Sequence, residues 1–135
     1  MLNRCHGILD LRDCARRAAD SGVTAILVSN QGERRLDGAA APIEVLPDIA
    51  RAVGDRLDVI LDSGIRRGVH VLKVLACEAK AGSIGRPYLY GLSGGGEKGV
   101  AKALAMLRAE LVLAIQLSGC ADLKSIDEAL IRRFA

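Results

Sequence analysis

Two short apolar runs constrain the fold of this chain more than anything else in it: "TAILVS" at residues 24–29 and "LDVILD" at residues 57–62. Neither alternates apolar with polar residues in the manner of a half-solvated strand. Nearly continuous apolar runs of this length are typical of strands in parallel sheets, so "TAILVS" is expected to be buried on both faces. The segments between and after them have a different period. In "DLRDCARRAADS" (10–21) the residues Leu11, Cys14, Ala15, Ala18 and Ala19 recur at helical spacing, with Asp10 as an N-cap and Gly22 just past the end. "PIEVLPDIARAVG" (42–54) places Ile43, Leu46, Ile49, Ala50 and Val53 on one face, with Pro47 restarting the helix at a first-turn position and Gly54 closing it.

The same alternation continues to the end. "GVHVLKVLACEAK" reads as the next helix and "AGSIG" (81–85) as a short strand. A loop, "GLSGGGE", leads to the longest helix, over 98–118, with Val100, Ala103, Leu104, Leu107, Leu111, Ala114 and Ile115 in register. A terminal helix is expected over 123–133. Strands and helices alternating through short connections predict one α/β domain with a parallel sheet wrapped by helices.

Composition narrows the function. With 19 basic and 16 acidic residues the net charge is only +3, and the Arg pairs are scattered, which argues against nucleic-acid binding. Tyr88, Tyr90 and Phe134 are the whole aromatic content, too little for a base-stacking platform. Cys5, Cys14, Cys77 and Cys120 have neither metal-ligand nor disulfide-framework spacing. No signal peptide or membrane-spanning segment is apparent, so a cytoplasmic location is expected.

Polar chemistry collects after the strands: "SNQGERR" after the first, "DSGIRRG" after the second, "GRP" after the third. Carboxyl ends of parallel strands share one rim, where loops and helix amino termini converge, so the three tips are expected to line one site. In "DSGIRRG" small residues would let backbone N–H groups and a helix dipole approach an anion, and "GRP" adds a guanidinium. The alternative is two tight turns that need glycine for positive φ. "GLSGGGEKG" superficially resembles a Walker loop but lacks the GK[ST] ending and follows no apolar strand, so it reads as a flexible loop. His70 reads as a packing or surface residue, and the cysteines as small apolar fillers.

Taken in order and spacing, "SNQGERRLDG", "LDSGIRRGVHVLKVLA" and "IGRPYLYGL" resemble the FMN-dependent α-hydroxy-acid dehydrogenases and oxidases, the family of flavin-linked L-lactate and mandelate dehydrogenases, glycolate oxidase and lactate oxidase. The resemblance implies the C-terminal portion of a (β/α)8 TIM barrel over residues 1–135, the last three strand-helix units preceded by the end of one more strand. It also implies FMN as cofactor and a small 2-hydroxy acid as substrate. By position, Ser29 contacts the flavin and Arg34 pairs with the substrate carboxylate, a task suited to a planar bidentate donor. Asp62, Ser63, Gly64, Ile65 and Arg66, with Gly85 and Arg86, match the segments around the FMN ribityl and phosphate groups. The anchors of inosine monophosphate dehydrogenase and type 2 isopentenyl diphosphate isomerase share part of this glycine logic, but the Arg and Asp spacing of "RRLDG" separates the chain from them.

The departures from the family pattern are specific. Gln31 stands where the family has its catalytic histidine, and a carboxamide is no base at neutral pH. His6 stands in place of a lysine that stabilises charge near flavin N1, which a histidine does only when protonated. Glu33 and Ser63 replace glycines. Glu78 replaces a helix-ending glycine and Gly82 a β-branched strand residue, changes costing about 0.5–1 kcal/mol each. Two functions follow as expectations: FMN-dependent oxidation of an L-2-hydroxy acid, or an inactive remnant that binds FMN or phosphate. A partial barrel leaves sheet edges and apolar faces uncovered, so a homo-oligomer or a complementing chain is also expected.

Overall fold

A computed structural model describes residues 2–5, 11–33, 38 and 40–131. Four strands pair in sequence order, all parallel: β1 (Leu2–Cys5), β2 (Ala25–Val28), β3 (Asp58–Asp62) and β4 (Ala81–Ser83). Between them run α1 (Leu11–Asp20), α2 (Pro42–Val53) and α3 (Gly68–Ala76), and α4 (Arg86–Leu117) follows β4. The alternation read from the sequence is therefore the architecture. The proposed N-cap Asp10 lies outside the described residues, while Gly22 adopts the left-handed backbone (φ 75°) that ends α1.

The core lies between one face of the sheet and the helices. Ile26 and Val28 of β2 and Val59 and Leu61 of β3 are buried there with Ala15 and Ala18 of α1 and Leu46, Ile49 and Val53 of α2. The expectation that the first apolar run is buried on both faces is not met. Ile26 and Val28 are buried, but Ala25 and Leu27 are only half-buried, because helices cover one side of the sheet and the described residues put nothing comparable on the other. That open face ends in the polar tips.

Three further expectations are corrected. Pro47 does not restart a helix: α2 runs unbroken from Pro42 to Val53, and Pro47 joins its buried face. A proline there forfeits one main-chain bond, to the carbonyl four residues back, while its ring replaces Ile43, 38% exposed, in the core stripe. "GLSGGGE" is not a loop. Helix α4 runs through it and breaks only at Gly95 and Gly96, where φ and ψ leave the helical region. The two legs then fold so closely that a Cβ on Gly91 would sit 2.7 Å from the Gly99 carbonyl oxygen, an approach only glycine permits. Finally, no α-helix forms over residues 123–131. Asp122 accepts the Lys124 and Ser125 N–H groups, and Asp127 accepts that of Ala129, so two separate 3-10 turns (Leu123–Ser125 and Glu128–Leu130) are capped one after the other with Ile126 extended between them.

Candidate functional site

Parallel neighbours bring their carboxyl ends to one rim, and register does the rest. Val28 lies opposite Leu61, so one step on Ser29 meets Asp62, and the Ser29 hydroxyl donates to Asp62 Oδ2 at 2.7 Å. Ser29 Oγ in turn accepts the Gln31 N–H at 3.1 Å, and Asn30 Oδ1 accepts the Gly32 N–H at 2.9 Å. These side-chain bonds fold the tip of β2 into a 3-10 turn, Gln31–Glu33, with left-handed backbone at Gln31 (φ 54°) and Gly32 (φ 67°).

The tip of β3 turns through two consecutive left-handed residues, Ser63 (φ 96°) and Gly64 (φ 81°). Position 63 thus has the conformation that favours glycine, and serine is held there at a cost of about 1–2 kcal/mol. The same applies to Glu78 (φ 64°) at the end of α3. Ile65 then points back into the core, 4% exposed, and its Cδ1 fills the space a side chain at Gly82 would need. A missing β-branched residue on β4 is thereby compensated from the neighbouring tip.

The start of α3 departs from expectation. Sequence reasoning offers its N–H groups and dipole to an anionic ligand, but the anion at the Gly68 N–H is Glu110 of α4: Oε2 accepts that N–H at 2.8 Å and Oε1 accepts Arg67 Nε at 2.8 Å. The Gly68 N–H, and next the Arg67 guanidinium, hold the Glu110 carboxyl below the ordinary glutamate range. Forty-two residues separate the partners, and nothing local in the sequence reveals them. The other backbone donor of this turn, Arg66 N–H, is accepted by His70 Nδ1 at 3.2 Å. Gly85 precedes α4, whose start has no side-chain cap, and Arg86 at its first position reaches back to β2: a Cβ on Gly32 would lie 3.3 Å from Arg86 Nη2.

A cleft of about 420 Å³ opens among these tips. Asn30 and Gly32 border it from β2, Ser63, Gly64 and Ile65 from β3, and Arg86 from α4. Leu61 of β3, Ala41, Pro42 and Ile43 at the start of α2, and His70, Lys73 and Val74 of α3 complete the wall. Of the residues singled out from sequence, Ser63, Gly64, Ile65 and Arg86 meet in this cleft. Ser29 and Asp62 are joined to each other at its edge, and Gln31 sits between two residues that line it. The Arg66 side chain is exposed outside it, and Gly85 contributes only the turn into Arg86. His6 and Arg34 lie outside the described residues. Sequence reasoning missed Asn30, His70 and Lys73. The i, i+3 spacing of His70 and Lys73 was a readable sign that they share a helix face, but not of which face.

A family model described as FMN-dependent dehydrogenase matches residues 5–133. The chain belongs to this family. Human 2-hydroxyacid oxidase 1 is 50% identical over 121 residues, 90% of this chain and 33% of the relative, and L-lactate oxidase of Nostoc sp. is 47% identical over 119 residues, 88% and 33%. Among solved structures, mandelate oxidase with benzoyl-formic acid superimposes with a TM-score of 0.85 at 41% identity, covering 93% of this chain and 36% of that one. The chain thus spans about a third of the length of the curated relatives it matches. Its four strands and their helices are the C-terminal portion of a (β/α)8 barrel, the fold expected from the motifs. FMN is the cofactor of the family, and a variant of mandelate oxidase has been solved with an FMN adduct.

Proposed function

We propose that this chain supplies the phosphate-side wall of an FMN site and part of a substrate site, in a protein that oxidises a small L-2-hydroxy acid of the lactate, mandelate or glycolate type to the 2-oxo acid. The observation that carries the reading is the shared cleft, where the β3 tip (Ser63, Gly64, Ile65) faces Arg86 of α4 beside Gly32. The cleft fits the group: left-handed backbone at residues 63 and 64 keeps bulk away, and Arg86 offers charge to a phosphate. FMN would supply the acceptor for the hydride equivalent leaving the substrate α-carbon. Ser63, Gly64, Ile65, Arg66, Gly85 and Arg86 would hold its ribityl phosphate, with Ser29 and Asp62 near the ring. His6 would serve as a charge partner to the ring, and Arg34 would bind the substrate carboxylate.

Proton transfer is the weak step. Gln31 holds the position of the base, and loss of a general base lowers the rate by about 10²- to 10⁴-fold. This observation favours a second reading, binding of FMN without turnover. The exposed apolar side chains of α4, among them Leu92, Leu113 and Leu117, support association with a second copy or a complementing chain. Among the described residues no helix is long and apolar enough to cross a membrane, and a cytoplasmic location belongs to the same proposal.

Gel filtration followed by FMN titration, read by quenching of flavin fluorescence, is the first test. Affinity weaker than millimolar would remove both readings. Tight binding without anaerobic bleaching by L-lactate, L-mandelate or glycolate would remove oxidation and leave binding alone. Bleaching that increases on Gln31→His would assign the slow step to residue 31.

A further inference from the structure

We propose that His70 is a positioning residue for the anion-facing turn, and that its neutral imidazole holds residues 63–66 in shape by accepting the Arg66 N–H. The inference rests on the FMN reading above, and adds to it a residue that the family pattern and the turn chemistry leave unassigned.

The geometry is that of a helix start closed from within. His70 is the third residue of α3, and its side chain reaches back to the backbone N–H two residues before the helix begins, Arg66 N to His70 Nδ1, 3.2 Å. A third-position side chain commonly returns to a backbone donor at the helix entry in this way. The half-buried ring also lines the cleft beside Ser63, Gly64 and Ile65, so the bond ties the turn to the wall it faces. Its companion donor, Gly68 N–H, is occupied by Glu110. His70 therefore satisfies the Arg66 N–H, a backbone donor of the segment matched to the phosphate.

Nδ1 accepts a hydrogen bond only without a proton of its own, which fixes the neutral tautomer with hydrogen on Nε2. The charged groups near the ring are the Glu110 carboxylate from α4, which interacts with it, Lys73 and Arg86, which line the same cleft, and Arg66 and Arg67 in the entry turn. Protonation of His70 removes the acceptor and releases the turn.

The full chain with His70→Phe and His70→Asn tests this. Phenylalanine keeps the ring and loses the acceptor, and asparagine keeps an acceptor on the same side-chain atom position. In His70→Phe, amide hydrogen exchange at Arg66 speeds up and FMN binds about threefold to tenfold more weakly, the worth of one hydrogen bond. His70→Asn restores both, and its Arg66 protection survives the acidification that abolishes protection in the unmodified chain. Wild-type exchange and affinity in His70→Phe would overturn the proposal. Should the unmodified chain bind no FMN, the functional reading fails while Arg66 exchange still decides the positioning role. Should His70→Phe not fold, the nitrogen-15 shifts of the imidazole in the unmodified chain decide: hydrogen on Nε2 supports the assignment and hydrogen on Nδ1 overturns it.

Discussion

Between Ala15 and Ala79 the chain buries Leu46, Val53 and Leu61 to 1% exposure or less, whereas α4, 32 residues long, contains no buried residue at all and leaves Leu113 54% and Leu117 79% exposed. Both regions are rich in leucine and alanine, so composition does not separate them. The difference is that sheet and helices α1–α3 cover one another, while α4 packs along one face only, chiefly against α3, and its other faces meet solvent. At that seam Gly68 lies against the α4 backbone at Leu111, and Glu110 bonds Gly68 and Arg67. The candidate site straddles the two regions: its β2 and β3 tips stand on a packed core, and Arg86 stands on the first turn of the helix covered on one face only.

The largest expected effect is a direct probe of that contrast. Leu61→Ala or Leu46→Ala should lower the unfolding free energy by about 2–5 kcal/mol through lost burial and a residual cavity. Leu113→Ala should change it by less than about 0.5 kcal/mol. Urea unfolding measures both, and equal losses would erase the distinction between the regions. Next in size, Gly82→Val drives a side chain into Ile65 Cδ1 and should cost about 1–3 kcal/mol. Adding Ile65→Ala should return much of that, since the two sites share one volume, and a double-mutant cycle without coupling would refute the compensation.

Smaller and opposite in sign, Ser63→Gly and Glu78→Gly should each raise stability by about 0.5–1 kcal/mol, because relief of left-handed strain exceeds the entropy that glycine adds to the unfolded chain. No gain in thermal unfolding would show that neither residue is strained. The last and smallest effect concerns the seam. Glu110 has its pKa lowered in the folded chain, so its contribution is complete above the ordinary glutamate pKa and is lost as pH falls through the lowered value. Protection of the Gly68 amide against exchange, relative to its intrinsic rate, should fall in that acid range, and in Glu110→Gln that response should vanish.

Local signals carried much of this structure. The lengths of the apolar runs and the helical spacing between them located β2, β3, β4 and α1–α3, since each element must bury a face at its own period whatever its neighbours are. Glycine logic was legible as well. Reading Ser63 and Glu78 as substitutes for glycine anticipates the left-handed backbone found at both. The errors cluster where a contact between distant residues, or competition between equal local choices, decides. Gly91 and Gly99 read as loop residues until the folding back of α4 gives them each other, and the 123–131 segment has helical spacing until two aspartate caps divide it.

The candidate site divides in the same way. By itself the sequence determined which residue types stand at the strand ends and that Gln31 offers no base, because those properties belong to single side chains and to their order. Only tertiary structure decided that Ser29 bonds Asp62, that Arg86 returns to Gly32, that Glu110 occupies the helix start expected to face an anionic ligand, and that His70 closes the turn at Arg66. Each of those depends on strand register or on helix packing across many residues, and the free energy of such contacts is set by distance and burial that no local pattern encodes.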